Sequence, residues 1–128
     1  MTIRFLGLEE VIALHARQIE RYGGAEGVRD LGLLESAVAA PEASFDGVYL
    51  HETLPEMAAA YLFHLAQNHA FIDGNKRVAA ASMIMFVYLN DHDLECDEDE
   101  LVELTVGVAS GKTTKSAVAV FLASKITG

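Results

Sequence analysis

The nine residues His69-Ala70-Phe71-Ile72-Asp73-Gly74-Asn75-Lys76-Arg77 gather an imidazole, a carboxylate, a glycine, an amide and two cations between two apolar segments. That set suits chemistry on phosphate esters. Asn75 is read as the N-cap of the following helix, which puts Lys76 and Arg77 in its first turn. The helix dipole is positive there and disfavours a cation by roughly 0.3–1 kcal/mol. Two adjacent cations in that turn call for an anion opposite, and a phosphate would answer the dipole, the free N–H groups and both side chains together. Gly74 allows close approach of backbone to a ligand, and Asp73 offers an oxygen to Mg²⁺, which is commonly held by one carboxylate plus substrate phosphates. His69 ends the preceding helix, where an imidazole can serve as general base towards a hydroxyl.

Other residues near this stretch receive plainer readings. Phe71 is an anchor that fastens the loop into the core. Arg29, before the second helix, is a surface residue within possible reach of a nucleotide. His15, His51, His64 and His92 lack comparable polar company and are read as structural or surface residues. The step from His64 to His69 turns the two apart on a helix, which opposes a joint metal site with Asp73.

The flanking pattern is helical throughout. Leu8, Val11, Ile12, Ile19 and Tyr22 recur at helix spacing before Gly23-Gly24 stops the segment. Asp30 caps a second helix that Pro41 ends, and residues 43–51, around Asp46-Gly47, form a loop, flap or small hairpin. Thr53-Leu54-Pro55-Glu56 is a capping box with proline in the first turn, so a third helix starts there and runs up to the nine residues. Val78 to Leu89 is apolar nearly all round and predicts the central helix. Asp97 and Glu100 cap a fifth helix that stops near Gly111, and a sixth runs from Thr114 to about Ile126. The fold class is all-α, a compact bundle of about six helices, with residues 1–128 forming a single domain.

Composition narrows the function. Nineteen acids against nine Lys and Arg give a net charge of -10, which opposes direct binding to nucleic acid or anionic membrane. A local cationic spot can still hold one nucleotide. Acids crowd the segment from Asp91 to Glu103, read as a solvated helix start. Cys96 is alone, so no internal disulfide forms, in keeping with a reduced, cytoplasmic setting. The first residues lack a signal pattern, and no apolar run reaches the roughly 18 residues of a membrane span.

The nonapeptide resembles the signature of the Fic/Doc superfamily, His-x-Phe-x-Asp/Glu-Gly-Asn-x-Arg, at His69, Phe71, Asp73, Gly74, Asn75 and Arg77. Arg21-Tyr22-Gly23-Gly24, the stretch from Asp30 to Ala37 and the stretch from Leu104 to Gly111 resemble its death-on-curing (Doc) branch. Fic proteins that transfer adenylate usually carry glycine where this chain has Lys76 and a second arginine where it has Ala80. Lys76 fills room that glycine leaves for phosphates, and Ala80 removes one phosphate clamp. In Doc-like proteins the resemblance implies a reversed nucleotide that presents its γ-phosphate, and hence a protein Ser/Thr kinase using ATP and Mg²⁺.

Position by position, the resemblance implies that His69 takes the proton from the acceptor hydroxyl and Asp73 holds the metal. Gly74 and Asn75 shape the anion-binding turn, while Lys76 and Arg77 neutralise the transferring group. It further implies a toxin that phosphorylates elongation factor Tu, inhibits translation and is neutralised by a Phd-type antitoxin. The antitoxin would lie as a helix in an apolar groove, with Val11, Leu14, Phe45 and Tyr49 as candidate contacts. The alternatives are a Fic-type protein adenylyltransferase using the same residues and a catalytically idle antitoxin-binding partner.

Overall fold

Each helix begins and ends where the chain supplies a reason for it. In the computed structural model, which describes residues 2–128, α1 spans Leu8–Tyr22, α2 Leu31–Ala39, α3 Leu54–Asn68, α4 Asn75–Leu89, α5 Glu98–Ala109 and α6 Lys115–Lys125. The Gly23 N–H closes α1 on the Ile19 carbonyl at 2.7 Å. Asp30, Thr53 and Thr114 cap α2, α3 and α6 with side-chain oxygens that accept from Leu33, Glu56 and Ala117 N–H groups. At α5 the reciprocal half of the box is present, with the Asp97 N–H donating to Glu100 Oε1 at 3.2 Å. The acidic run is thus a helix start. Pro41 ends α2 by tightening the chain into a 3-10 turn at Ala40–Glu42.

The centre of the bundle is α3, a correction to the expectation that α4 would be. Met57, Tyr61, Leu62 and Leu65 are fully buried on it, and Ala58, Ala59, Ala60 and Ala66 let α2, α4, α5 and α6 approach from several sides. α4 buries Val78, Ala79, Met83, Phe86 and Val87 but leaves Met85 and Tyr88 at the surface. Its apolar letters partly line a groove instead of the core. Tyr61 is satisfied in the interior, accepting from Leu6 N–H at 2.8 Å and donating to Leu6 O at 3.2 Å.

Two small ribbons complete the fold. Residues 43–51 do form a hairpin, β1 (Ser44–Phe45) against β2 (Val48–Tyr49), with Ser44 opposite Tyr49 and Phe45 opposite Val48. Asp46 and Gly47 both have positive φ, the turn that matches strand twist. A second ribbon pairs β3 (Asp93–Leu94) with β4 (Ile126–Thr127), so α6 ends at Lys125 and the chain end is tied to the α4–α5 connection. Strands this short have no alternation to read. Among the described residues no helix is long and apolar enough to cross a membrane.

Candidate active site

The nine residues run from the C-cap of α3 to the first turn of α4, on a loop stitched to the connection between α1 and α2. The Arg29 and Asp30 N–H groups donate to Ala70 O at 2.7 and 3.0 Å, and Ile72 N–H donates to Gly27 O at 3.0 Å. Val28 and Phe71 form an isolated antiparallel bridge. Phe71 is buried at the centre of this seam, as an anchor should be. Arg29 Nε donates to His69 O at 2.8 Å, so this arginine braces the loop's main chain.

Asn75 does not cap α4. Gly74 occupies that position in the left-handed conformation (φ 74, ψ 20), and Asn75 is the first helical residue. Its side chain turns back instead: Oδ1 accepts from Phe71 N–H and Nδ2 donates to Phe71 O, both at 3.0 Å. An amide matches a peptide group in both donor and acceptor, so the loop competed successfully for the side chain. Lys76 and Arg77 remain in the first turn.

Asp73 is exposed but tightly oriented. Its Oδ1 accepts from Gly74 N–H at 2.8 Å and its Oδ2 from Ala25 N–H at 3.2 Å. These two bonds, Gly74 first, and the nearby Arg77 and His15 hold its carboxyl below the usual carboxylate range. Gly24 (φ 119) is required by this arrangement, because a Cβ there would stand 2.7 Å from Asp73 Oδ2. A Cβ on Gly74 would meet Ile19 Cδ1 at 3.1 Å and His15 Nε2 at 3.4 Å.

The cations have no carboxylate partner within ion-pair distance among the described residues. Arg77 Nη1 donates to Gly23 O at 3.0 Å, and its guanidinium carbon lies 5.5 Å from the centre of the Tyr22 ring. That carbonyl ends α1, so the arginine is held by a helix C-terminus and an aromatic face. Lys76 and Arg77 border a groove of about 470 Å³ between α1, α4 and α5, whose wall includes Tyr22, Ala80, Val102 and Val106. Lys76 and Ala80 stand one helical turn apart on that wall.

His69 caps α3 in the left-handed conformation (φ 49, ψ 45) with its side chain exposed. A non-glycine residue there is uncommon, and the braces on His69 and Ala70 carbonyls hold it. No side-chain hydrogen bond ties its imidazole to Asp73, Lys76 or Arg77 among the described residues. The structure therefore brings Asp73, Gly74, Lys76 and Arg77 together at the start of α4 and leaves the His69 imidazole exposed at the end of α3.

Two residues at the site escaped the sequence reading. Gly24 lies against the Asp73 carboxylate, and buried His15 lies under the loop. His64, by contrast, is part of the packing: Lys115 Nζ donates to its Nε2 at 3.2 Å, and burial, with Lys115 and His51 nearby, pushes its pKa down to about 4. No cluster of three or more His, Cys, Asp or Glu that could hold a metal exists among the described residues. Val11 and Leu14, offered as partner contacts, are core residues on the inner face of α1, 0 % and 7 % exposed. Helix position decides that: they lie on the same face as His15 and Ile19.

The helical bundle and this loop define the protein's class. A model described as the Fic/DOC family matches residues 5–87, and the chain belongs to that family. It is similar to the protein kinase doc of Escherichia phage P1, at 38% identity over 117 residues, 91% of each chain. It is also similar to the toxin Doc of Mycolicibacterium smegmatis, at 39% identity over 113 residues, 84% of this chain and 87% of the relative.

Proposed function

We propose that this protein is a toxin of the Phd/Doc type that transfers the γ-phosphoryl group of ATP to a Ser or Thr hydroxyl of elongation factor Tu and so inhibits translation. The observation that carries this reading is the cation pair at the start of α4, which has no carboxylate partner among the described residues and sits beside an exposed, oriented carboxylate. The kinase name of the phage relative supports it, and so does Lys76 in place of glycine with Ala80 in place of a second arginine.

In this reading the acceptor oxygen attacks the γ-phosphorus, the bond to the bridging β–γ oxygen breaks, and ADP leaves. His69 takes the hydroxyl proton, and its exposure suits a protein acceptor. Lys76, Arg77 and the first-turn N–H groups of α4 offset charge on the transferring group, with Gly74 leaving room for the phosphates and Asn75 holding the turn. Asp73 fits Mg²⁺, because its carboxylate is exposed and each oxygen, holding one backbone N–H, retains a further lone pair. When bound, the metal would neutralise and align the phosphates. Such catalysis is positioning plus electrostatics.

The target places the activity in the cytoplasm. We infer that the antitoxin segment docks in the groove between α1, α4 and α5, where exposed Val102 and Val106 face the edge bearing Lys76 and Arg77. Expression in bacteria tests the toxin role. Growth arrest by the wild type that disappears in both His69→Ala and Asp73→Ala is expected, and arrest that survives both contradicts an active-site origin.

A further inference from the structure

We propose that His15, on α1, is a positioning residue that orients the Asp73 carboxylate through the peptide group joining Asp73 to Gly74; the inference deepens the reading of Asp73 as the metal and phosphate anchor and rests on it. His15 Nε2 lies 2.7 Å from Asp73 O. A carbonyl oxygen only accepts, so Nε2 carries the proton and donates. The other end of that same peptide group is the Gly74 N–H, which donates to Asp73 Oδ1 at 2.8 Å. A planar peptide held at its oxygen has its N–H direction fixed as well. The imidazole therefore acts on the carboxylate across one rigid plane, and hydrogen bonds in such a series polarise one another.

The imidazole is itself fully located. It stacks on Phe71 with ring centres 3.8 Å apart and planes within 8°, and it is 4 % exposed. Stacking sets the plane of the ring and the Asp73 carbonyl sets its rotation. Phe71 is in turn held through both backbone groups by Asn75. Ile19, one turn further along α1, supports Gly74 from the same face. The position directly beneath Gly74 suits this role, because the left-handed turn there brings its peptide within reach of a buried donor. A side chain that only packed here would need no donor aimed at the loop.

Three variants separate the contributions. His15→Phe keeps a stacking ring without the donor, His15→Gln keeps a donor without the ring, and His15→Leu keeps neither. Amide hydrogen exchange at Gly74 and the ¹³C titration of the Asp73 carboxyl are read on the whole folded chain without nucleotide. In His15→Phe, Gly74 exchange should quicken about tenfold or more and the Asp73 titration should move up towards the ordinary carboxylate range, with His15→Gln intermediate. The Mg²⁺ concentration for half-maximal transfer should rise about tenfold, the usual scale for partners that orient metal ligands, with KM for the acceptor protein unchanged. A folded His15→Phe protein with wild-type Gly74 exchange and Asp73 titration overturns the proposal, as does wild-type behaviour in His15→Gln and His15→Leu if the phenylalanine variant does not fold. Absence of transfer by the wild type would remove the kinase reading, while the exchange and titration results would still decide the role of His15.

Discussion

Asn75 grips Phe71 by both of its backbone groups, two hydrogen bonds of 3.0 Å that close the loop between α3 and α4 on itself. The side chain replaces a strand partner, and the anchor ring beneath can be buried without orphaning its peptide groups. Asn75→Ala leaves a part-buried N–H and C=O unpaired, a cost of about 1–3 kcal/mol. Thermal unfolding should register it as a fall of several degrees. Asn75→Asp, which retains an acceptor and loses the donor, should fall between the two. An alanine variant as stable as the wild type would show that water replaces the amide without penalty.

Gly24 and Gly23 make a matched pair for testing the Asp73 geometry. Both have positive φ, but only a Cβ at Gly24 would collide with Asp73, at 2.7 Å from Oδ2, whereas nothing lies within 4 Å of one at Gly23. Alanine at either position should cost roughly 1–3 kcal/mol of stability from backbone strain. Gly24→Ala should in addition raise the Mg²⁺ requirement for transfer about tenfold. Equal Mg²⁺ curves for the two variants would mean that the carboxylate moves aside freely.

Much of this was legible in the sequence because local chemistry and global fold agree. Thr53 and Asp30 read as caps and act as caps, Thr114 reads as a helix start and is its cap, and Asp46-Gly47 reads as the turn of a loop or hairpin and makes a hairpin. What escaped depends on partners far along the chain. Asn75 looked like a cap because its neighbours do not reveal that Phe71 turns back to meet it. His15 lies 58 positions from the carbonyl it contacts, and no periodicity marks a histidine on an apolar face as a donor to a loop. Val11 and Leu14 were candidate contacts until the packing of α1 buried them. The central place of α3 comes from α2, α4, α5 and α6 packing around it, which composition does not reveal because α3 and α4 are comparably apolar.

Lys76 and Ala80 share one wall of the groove, so the proposal that they set the direction of the nucleotide can be tested by exchanging both. The double variant Lys76→Gly/Ala80→Arg should lose γ-phosphoryl transfer and gain transfer of the α-phosphate with its nucleoside. Mass spectrometry of the acceptor distinguishes the two additions. Unchanged phosphorylation in the double variant would remove these positions as determinants of nucleotide direction.

His64 predicts a pH dependence unrelated to catalysis. Its pKa in the fold is about 4 against an ordinary value of 6.5. Above 6.5 neither state is protonated and the residue contributes no pH dependence. As pH falls from 6.5 towards 4, the unfolded chain binds a proton that the folded chain refuses, so stability declines; below 4 both bind it and the loss is complete. Allowing for the partial exposure of the group, the loss is about 1–2 kcal/mol. Denaturant unfolding at pH 7 and pH 4.5 should show it, and His64→Gln should reduce the difference. The same pH dependence in His64→Gln would assign it to other groups.

The proposed activity is a phosphoryl transfer that needs His69. Purified protein incubated with elongation factor Tu and ATP labelled separately at the α and γ positions tests it directly. Label is expected on the factor from γ-labelled ATP alone and is lost in His69→Ala. Transfer from α-labelled ATP only, or full transfer by the His69→Ala protein, would contradict it.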